Sequence, residues 1–445
     1  MNTTDTIAAP ASAITGAVAV IRISGERALA AAKTVWHGKA ELDAPGNIRK
    51  MLLGKVGNAP TLAVYMKAPR SYTGEDVVEL QCHGGAAAAH AVMTAVLNAG
   101  CRLAEPGEFT FRAFVNGKMD LVQAEAVADL VRSGSDAARK VAENQLAGAL
   151  SEKLAALYEA INDFRSECEA RLDFPDEELE FDGGVPPSLV KARELVESLL
   201  ATCPAGAALR DGVTVVLAGR PNSGKSSLLN LLAGRDRAIV SDIPGTTRDT
   251  VECDTEIRGI PVHLVDTAGV RESTDAVEKL GIERSRRSVA AAELVLWLLD
   301  MTADVDGEVA ELRRSAPPGT AIAVWNKLDL AGDKKLPELP AGVPSVAISA
   351  KNGKNLETLF DAMMTRIFSC ATPTIPETAV NARAAAELEL AAKSLKEAGR
   401  HFETGGFELA AAESAQAAHA VGRIVGRHAD PDLLDTVFRN FCIGK

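Results

Sequence analysis

The sequence predicts an α/β multidomain protein: an N-terminal α/β domain, then a discontinuous all-helical domain interrupted by an inserted, doubly wound and mainly parallel α/β domain. Three observations predict it. The chain has 445 residues, too many for one ordinary core and enough for roughly three. The apolar, β-branched run Val213 to Ala218 ends at Gly219, and strand-helix alternation continues from there to about residue 369. Helical periodicity flanks that stretch on both sides.

In chain order, residues 1–118 read as mixed α/β. Strand-like pieces at Ala17 to Ile23 and Val77 to Gln81 flank the Ala-rich helical run near Ala86 to Asn98. Residues 119–210 are helical: apolar positions recur three and four apart from Leu121 to about Leu172, and Leu189 to Leu200 is amphipathic after Pro187. Residues 211–369 form the inserted α/β domain. Residues 370–445 return to helix, with one run expected from Ala382 to about Arg427 after the prolines at 373 and 376. The two helical parts are expected to pack together.

Composition narrows the function. Hydrophobic residues make up 47%, charged residues 24% and aromatic residues only 4%, which is globular composition leaning towards Ala-rich helices. No stretch approaches 18 apolar residues and no signal peptide is visible, so a cytoplasmic protein with no membrane partner is expected. The seven cysteines are scattered without C-x-x-C and read as reduced thiols, mostly in the core. No histidine or cysteine spacing suits zinc. The net charge of −12 disfavours a broadly basic nucleic-acid surface.

The chemistry concentrates in the inserted domain. Gly219-Arg-Pro-Asn-Ser-Gly-Lys-Ser226 matches G-x-x-x-x-G-K-[ST] directly after a strand and before the apolar helix Leu228 to Leu232, the context a phosphate-binding loop requires. Such a turn aims backbone N–H groups from Asn222, Ser223, Gly224 and Ser227 at phosphates. Lys225 adds a point charge, and the Ser226 hydroxyl suits Mg²⁺. Asn326-Lys327-Leu-Asp329 follows the strand Ala321 to Val324 and resembles the N-K-x-D element of GTPases, where the carboxylate accepts from two guanine N–H groups that adenine does not offer. Asp266-Thr267-Ala268-Gly269 resembles the third GTPase element, Gly245-Thr246-Thr247-Arg-Asp249 the first switch, and Ser349-Ala350-Lys351 the guanine-supporting fifth. Five elements in order imply GTP as substrate and a Ras-like G domain. Arg271 stands where Ras-like enzymes place a water-orienting Gln. With Asn222 and the Thr246-Thr247 switch, this is similar to potassium-activated G proteins that dimerise through their G domains.

The resemblance extends beyond the G domain. Thr73-Gly-Glu-Asp-Val-Val-Glu79, Pro106-Gly-Glu-Phe-Thr-Phe-Arg-Ala-Phe114, Asn116-Gly-Lys-Met-Asp-Leu-Val-Gln-Ala-Glu-Ala126, Asp173-Phe-Pro-Asp-Glu-Glu178 and the closing Phe441-Cys-Ile-Gly-Lys445 each resemble signatures of the MnmE (TrmE) family of tRNA-modifying GTPases. That resemblance implies an N-terminal tetrahydrofolate-binding domain that dimerises, a homodimer, and a heterotetramer with the FAD-dependent MnmG (GidA) protein. FAD enters only through that partner. The pair would build an aminomethyl-type group on carbon 5 of the wobble uridine of certain tRNAs, from a 5,10-methylene- or 5-formyl-tetrahydrofolate.

Carried over residue by residue, the resemblance implies K⁺ ligands at Asn222, Ser241, Ile243 and Thr246, and Mg²⁺ ligands at Ser226 and Thr247. The GTP-contacting switch runs on through Asp242, Pro244 and Gly245. Catalysis would fall to Glu278, as the residue that orients water, with Thr247 and Gly269. Folate contacts would fall on Arg22, Glu79, Lys118 and Lys445. For Cys442 two roles stay open, a reactive thiol and a packed bystander. Two departures are visible: Ala11-Ser-Ala-Ile-Thr-Gly16 replaces a Pro- and Gly-rich stretch, and Pro244 stands where Ala is common. The rival readings are a ribosome-assembly GTPase of the Era or Der kind and a folate-dependent methyltransferase with a regulatory G domain. Against the first, there is one phosphate-loop motif only, and residues 381–445 hold 8 Lys/Arg against 9 Asp/Glu, so they lack a basic RNA-binding face. Against the second, the hydrolysis elements are intact.

Overall fold

The computed structural model of the chain describes residues 4–173, 184–234, 251–266, 288–317, 319–331, 336–368, 374–428 and 430–445. They fall into two compact units. One comprises Met1–Ala128, Gln145–Arg193 and Leu390–Lys445; the other comprises Asp129–Asn144 and Glu194–Glu389.

The first unit holds a seven-stranded sheet. Strands β1 (Ile7–Pro10), β2 (Val18–Ser24), β3 (Trp36–Gly38), β4 (Leu52–Val56), β5 (Ala59–Met66), β6 (Val77–His83) and β7 (Arg102–Leu103) take the order β3-β4-β5-β6-β2-β1-β7. Neighbours are antiparallel except β7, which runs parallel to β1. Helices α1 (Ala28–Val35) and α2 (Ala86–Asn98) share a core with the sheet through Ile21, Leu80, Val92 and Val96. The buried face of α1 is Ala28, Ala31 and Ala32, which lets its axis approach the pleat closely, while α2 buries Ala89, Val92, Met93 and Val96.

Helices α3 (Glu108–Val115), α4 (Leu121–Arg132), α5 (Asp136–Leu146) and α6 (Ala149–Asp173) follow. In α6 the buried set Leu150, Leu154, Leu157, Ile161, Phe164 and Cys168 keeps the three-and-four spacing of one helical face. Beyond α7 (Pro187–Leu200) and α8 (Cys203–Asp211), the C-terminal helices are α12 (Ala382–Glu403), α13 (Phe407–Ile424) and α14 (Pro431–Arg439). The single run expected from 382 to 427 is therefore two helices. Gly405, at φ 76°, ends α12 with its N–H on the Phe402 carbonyl, while Gly406 N–H returns to the His401 carbonyl at 2.8 Å; two adjacent glycines let the chain reverse out of the helix. Helix α13 packs along α6.

Helix α14 fixes the end of the chain to the first unit. Phe438 is fully buried, 5.4 Å from the Phe111 ring and 5.4 Å from Phe441. Gly107 N–H donates to the Cys442 carbonyl at 3.4 Å. Gly107 has φ 70°, and a Cβ there would stand 2.5 Å from the Phe438 carbonyl oxygen, so the position needs glycine. The six described cysteines form no disulfide. Cys82, Cys101 and Cys168 are buried as expected, and burial pushes the thiols of Cys101 and Cys168 up to about 11. Cys203 and Cys253 are half-buried and Cys442 is exposed, so only half of the described set is in the core.

Beside the sheet, Arg112 and Glu108 are both fully buried. Arg112 donates to Asp5 at 2.6 Å, to Glu108 at 3.0 Å and to Glu75 at 3.3 Å. Arg102 donates to Asp5 at 2.7 Å and to Glu108 at 2.6 Å. Glu75 also accepts from the Ser24 hydroxyl at 2.6 Å.

The second unit holds a six-stranded sheet of β8 (Val213–Gly219), β9 (Val251–Ile257), β10 (Ile260–Asp266), β11 (Leu294–Asp300), β12 (Ala321–Asn326) and β13 (Ser345–Ala347), ordered β13-β12-β11-β8-β10-β9. Only β9 is antiparallel. Both faces of β8 are covered, with Val215 and Leu217 in one core and Val216 and Ala218 in another, as a central parallel strand requires. Helices α9 (Lys225–Ala233), α10 (Val305–Ser315) and α11 (Leu356–Phe368) complete the described layers. The carboxyl ends of β8, β10 and β12 lead directly into motif segments, at the sheet edge where open α/β sheets bind ligands.

Removing Arg112 leaves Asp5, Glu75 and Glu108 with Arg102 as the remaining arginine, on Asp5 and Glu108. An Arg112→Met protein is expected to lose about 3–5 kcal/mol locally, read as faster amide exchange in residues 5–115. Hydrogen bonds from Arg102, joined by Arg112, hold the Asp5 carboxyl below the ordinary carboxylate range against the opposing effect of burial. Its contribution is therefore full above about pH 4, the unfolded value, and is lost as pH falls through the lower folded value. Amide protection in this segment should fall on acidification below that point, with a shallower slope in Asp5→Asn.

Candidate functional site

In the second unit, β8 ends at Gly219 and the next residues turn back before α9 begins at Lys225. Asn222 takes φ 63°, a left-handed conformation that Asn tolerates better than most residues. Gly224 takes φ 98°, and a Cβ there would stand 2.1 Å from the Asn326 side-chain amide nitrogen. Glycine at 224 is thus required twice, by backbone and by space. No side chain caps the N-terminus of α9, so its first N–H groups and dipole face the loop.

Lys225 is 5% exposed. Its ammonium donates to the carbonyls of Gly219 at 2.9 Å and Arg220 at 2.8 Å, folding the loop around the charge. Burial lowers its pKa, opposed by the negative charges of Asp266 and Glu308. The Ser226 hydroxyl donates to Asp266 at 3.1 Å, so two oxygen donors stand side by side at the ends of β10 and the loop. That pair suits a hard cation such as Mg²⁺.

The predicted base-reading residues converge on the same loop. Asn326, 3% exposed, donates from its amide to the Ser223 carbonyl at 2.9 Å and accepts from Ala350 N–H at 3.0 Å. One side chain therefore joins the phosphate loop, the end of β12 and the Ser349-Ala350-Lys351 turn. The Ser349 hydroxyl donates to Asp329 at 2.7 Å and accepts from Asn352 N–H at 3.2 Å, orienting the carboxylate expected to read guanine. Lys327, at φ 66°, donates to Asp300 at 2.6 Å. Asn222 to Ser227, Asp266, Asn326, Lys327, Asp329 and Ser349 to Lys351 are thus placed on neighbouring loops of one sheet. Ser241 to Thr247, Thr267 to Gly269, Arg271 and Glu278 lie outside the described residues.

Sequence reasoning missed the contacts of Arg220, within the loop, and of Asp300 and Glu308 beside it. Glu308, 2% exposed, sits 3.3 Å from Arg220. Nothing in the sequence separates it from an ordinary acidic residue in the first turn of a helix.

In the first unit, Arg22 and Glu79 face each other across β2 and β6 and form an ion pair at 2.9 Å, each side chain under one-fifth exposed. Sequence reasoning alone favours isolated surface charges; the register explains the difference. The Arg22 guanidinium also lies 5.2 Å from the Tyr72 ring centre and 5.7 Å from that of Phe109, and donates to the Gly444 carbonyl at 3.4 Å. Lys445 N–H bonds the Cys442 carbonyl at 3.3 Å, which brings the last residues to the same strand end. Lys118 donates to the Pro69 carbonyl at 3.2 Å, on the turn that also carries Tyr72. No helix of the described residues is long and apolar enough to cross a membrane.

Two family models match the chain: the GTP-binding protein TrmE N-terminus over residues 6–118 and the MnmE helical domain over residues 121–442. The chain is 40% identical over 452 residues to the tRNA modification GTPase MnmE of Synechococcus sp. strain JA-2-3B'a(2-13), covering 99% of this chain and 98% of that protein. It is 41% identical over 458 residues to the protein of the same name from Symbiobacterium thermophilum, covering 99% of both. Among solved structures, Aquifex aeolicus Era bound to GDP.AlF4- aligns at 29% identity over 41% of this chain and 66% of that one, with a TM-score of 0.28, too low to bear on the fold.

Replacing Asn326 by Ala strips one buried donor and one buried acceptor of their partners, at about 1–3 kcal/mol each. Asn326→Ala should therefore weaken fluorescent-GDP binding by about tenfold or more, measured by titration.

Proposed function

The chain belongs to the MnmE family of tRNA modification GTPases, and on that footing we propose that its GTP hydrolysis drives modification of the wobble uridine of certain tRNAs. The observation that carries the reading is the Asn326 bridge, which makes the phosphate loop and the base-reading loops one rigid site. In this reading the chain acts in the cytoplasm as a homodimer with an FAD-dependent MnmG partner. Together they place an aminomethyl-type group on carbon 5 of the uridine from a tetrahydrofolate one-carbon unit. Residues 1–118 form the folate-binding and dimerising domain, 119–210 and 370–445 the two helical parts, and 211–369 the G domain.

The chain's own residues divide the work. Lys225 and the N–H groups of α9 bind phosphate oxygens, and Asp329, oriented by Ser349, selects guanine. Ser226 and Thr247 would hold Mg²⁺, with Asp266 behind them, and Asn222, Ser241, Ile243 and Thr246 would hold K⁺. Bound there, the ions would supply positive charge to phosphate oxygens, with K⁺ in the place an arginine finger fills in other GTPases. Glu278 orients the attacking water, Thr247 and Gly269 address the terminal phosphate, and no Gln stands at 271 to do so.

The Arg22–Glu79 pair between Tyr72 and Phe109 supports a folate site. A planar pterin suits the aromatic edges, and the paired charges suit its amide donor and acceptor atoms. Lys118 and Lys445 would meet the glutamate tail. Among the described residues, 381–445 hold three helices, and with 8 Lys/Arg against 9 Asp/Glu they support an Era-like RNA-binding end less well.

Steady-state GTP hydrolysis in matched KCl and NaCl tests the hydrolytic mechanism. Turnover is expected to rise on the order of tenfold or more with K⁺, and the stimulation should vanish in Asn222→Ala. Equal rates in both salts would remove the K⁺ assignment. Glu278→Ala should abolish both turnover and wobble-uridine modification; full modification without turnover would show that hydrolysis does not drive it.

A further inference from the structure

We propose that Glu308 is a positioning residue that couples the phosphate loop to the base-reading loop, so that how the loop holds phosphate alters how strictly the site selects guanine. The inference rests on the nucleotide-binding reading above and deepens it.

Glu308 lies in the first turn of α10 with 2% of its surface exposed. One carboxylate oxygen faces Arg220 at 3.3 Å; the other accepts from Asp300 N–H at 3.3 Å. Arg220 is the second residue of the phosphate loop, and its own carbonyl accepts from Lys225 at 2.8 Å. Its guanidinium is held further by the Gly307 carbonyl at 2.9 Å and by Glu311 at 3.6 Å. On the other side, the Asp300 carboxylate holds Lys327 of the N-K-L-D element at 2.6 Å. Burial pushes the Asp300 carboxyl up, and the hydrogen bonds from Lys327 and Thr302 outweigh it, leaving it ionised.

A connected path therefore runs from Lys225 through Arg220, Glu308 and Asp300 to Lys327. Both of its ends are motif residues. A buried carboxylate with a half-exposed arginine partner is weak as a stabilising device, because its desolvation offsets most of the attraction. What such a charge does well is fix relative placement, and here the parts fixed are the two halves of the ligand site. Burial raises the pKa of Glu308, so the direct Arg220 contact matters for keeping the charge in place.

The test compares GDP with inosine diphosphate, which lacks the exocyclic amino group that Asp329 is expected to read. Dissociation constants for both are measured for the wild-type chain and for Arg220→Ala, Asp300→Asn and Glu308→Gln, with Arg220→Lys as the conservative variant. Arg220 touches no base-reading residue directly, yet Arg220→Ala should narrow the preference for GDP by about threefold or more. Glu308→Gln should do the same, and Arg220→Lys should recover part of it. Weaker binding of both nucleotides with an unchanged ratio would reduce Glu308 to a structural residue and overturn the coupling. A wild-type chain that binds GDP but does not prefer it would instead remove the base-reading assignment. Should Glu308→Gln fail to fold, the half-exposed Arg220 still gives the answer.

Discussion

The arrangement of the second unit depends on one buried amide. Asn326 closes β12 and reaches the phosphate loop with its donor and the 349–351 turn with its acceptor. Each contact is an ordinary hydrogen bond. Their leverage comes from burial, since neither half of the amide can exchange its partner for water without opening the loops. Gly224 follows from the same constraint, because a larger residue would displace the amide. So does the placement of Asp329, whose orienting hydroxyl, Ser349, is the residue before the N–H that Asn326 receives.

Much of this was legible in the sequence, for a physical reason. A phosphate loop and a base-reading loop are made by short, contiguous segments whose backbone shape is set by glycine and asparagine at fixed offsets, so a linear string carries them. Helix α2 and the strands β8 and β12 were legible because their apolar period is strong and their ends are marked. The break between α12 and α13 falls between two alanine-rich runs that each read as helix, so only the pair Gly405-Gly406 marks it. The hairpin of β4 and β5, turning on Gly57-Asn58, carries too little alternation to stand out. The Arg22–Glu79 pair and the Arg220–Glu308 pair were not legible at all. Each joins residues 57 and 88 positions apart, respectively, through a register or a helix placement that only the fold supplies.

The charge cluster beside the first sheet and the phosphate loop handle buried charge differently. Beside the first sheet, Arg102 and Arg112 are matched against Asp5, Glu75 and Glu108 within one cluster, and the result is a rigid joint under the Thr73 to Glu75 turn. In the phosphate loop, Lys225 makes its hydrogen bonds to carbonyl oxygens, which orient an ammonium without neutralising it. A closed cluster suits a scaffold; an ammonium hydrogen-bonded to carbonyl dipoles suits a group that must meet an anion.

The pinned end of the chain sets an order of events during synthesis. The Arg22 guanidinium finds the Gly444 carbonyl 422 residues later, and Gly107 finds Cys442 after a comparable wait. A ribosome adding about 5–20 residues per second reaches that acceptor roughly 20–80 s after Arg22 itself is made. The first sheet can form long before then, while Phe111 and Phe114 still lack the Phe438 ring that covers them. A nascent chain in this interval carries an exposed aromatic patch beside an unfinished Arg22 neighbourhood, so the surface around Arg22 matures last although it is encoded first.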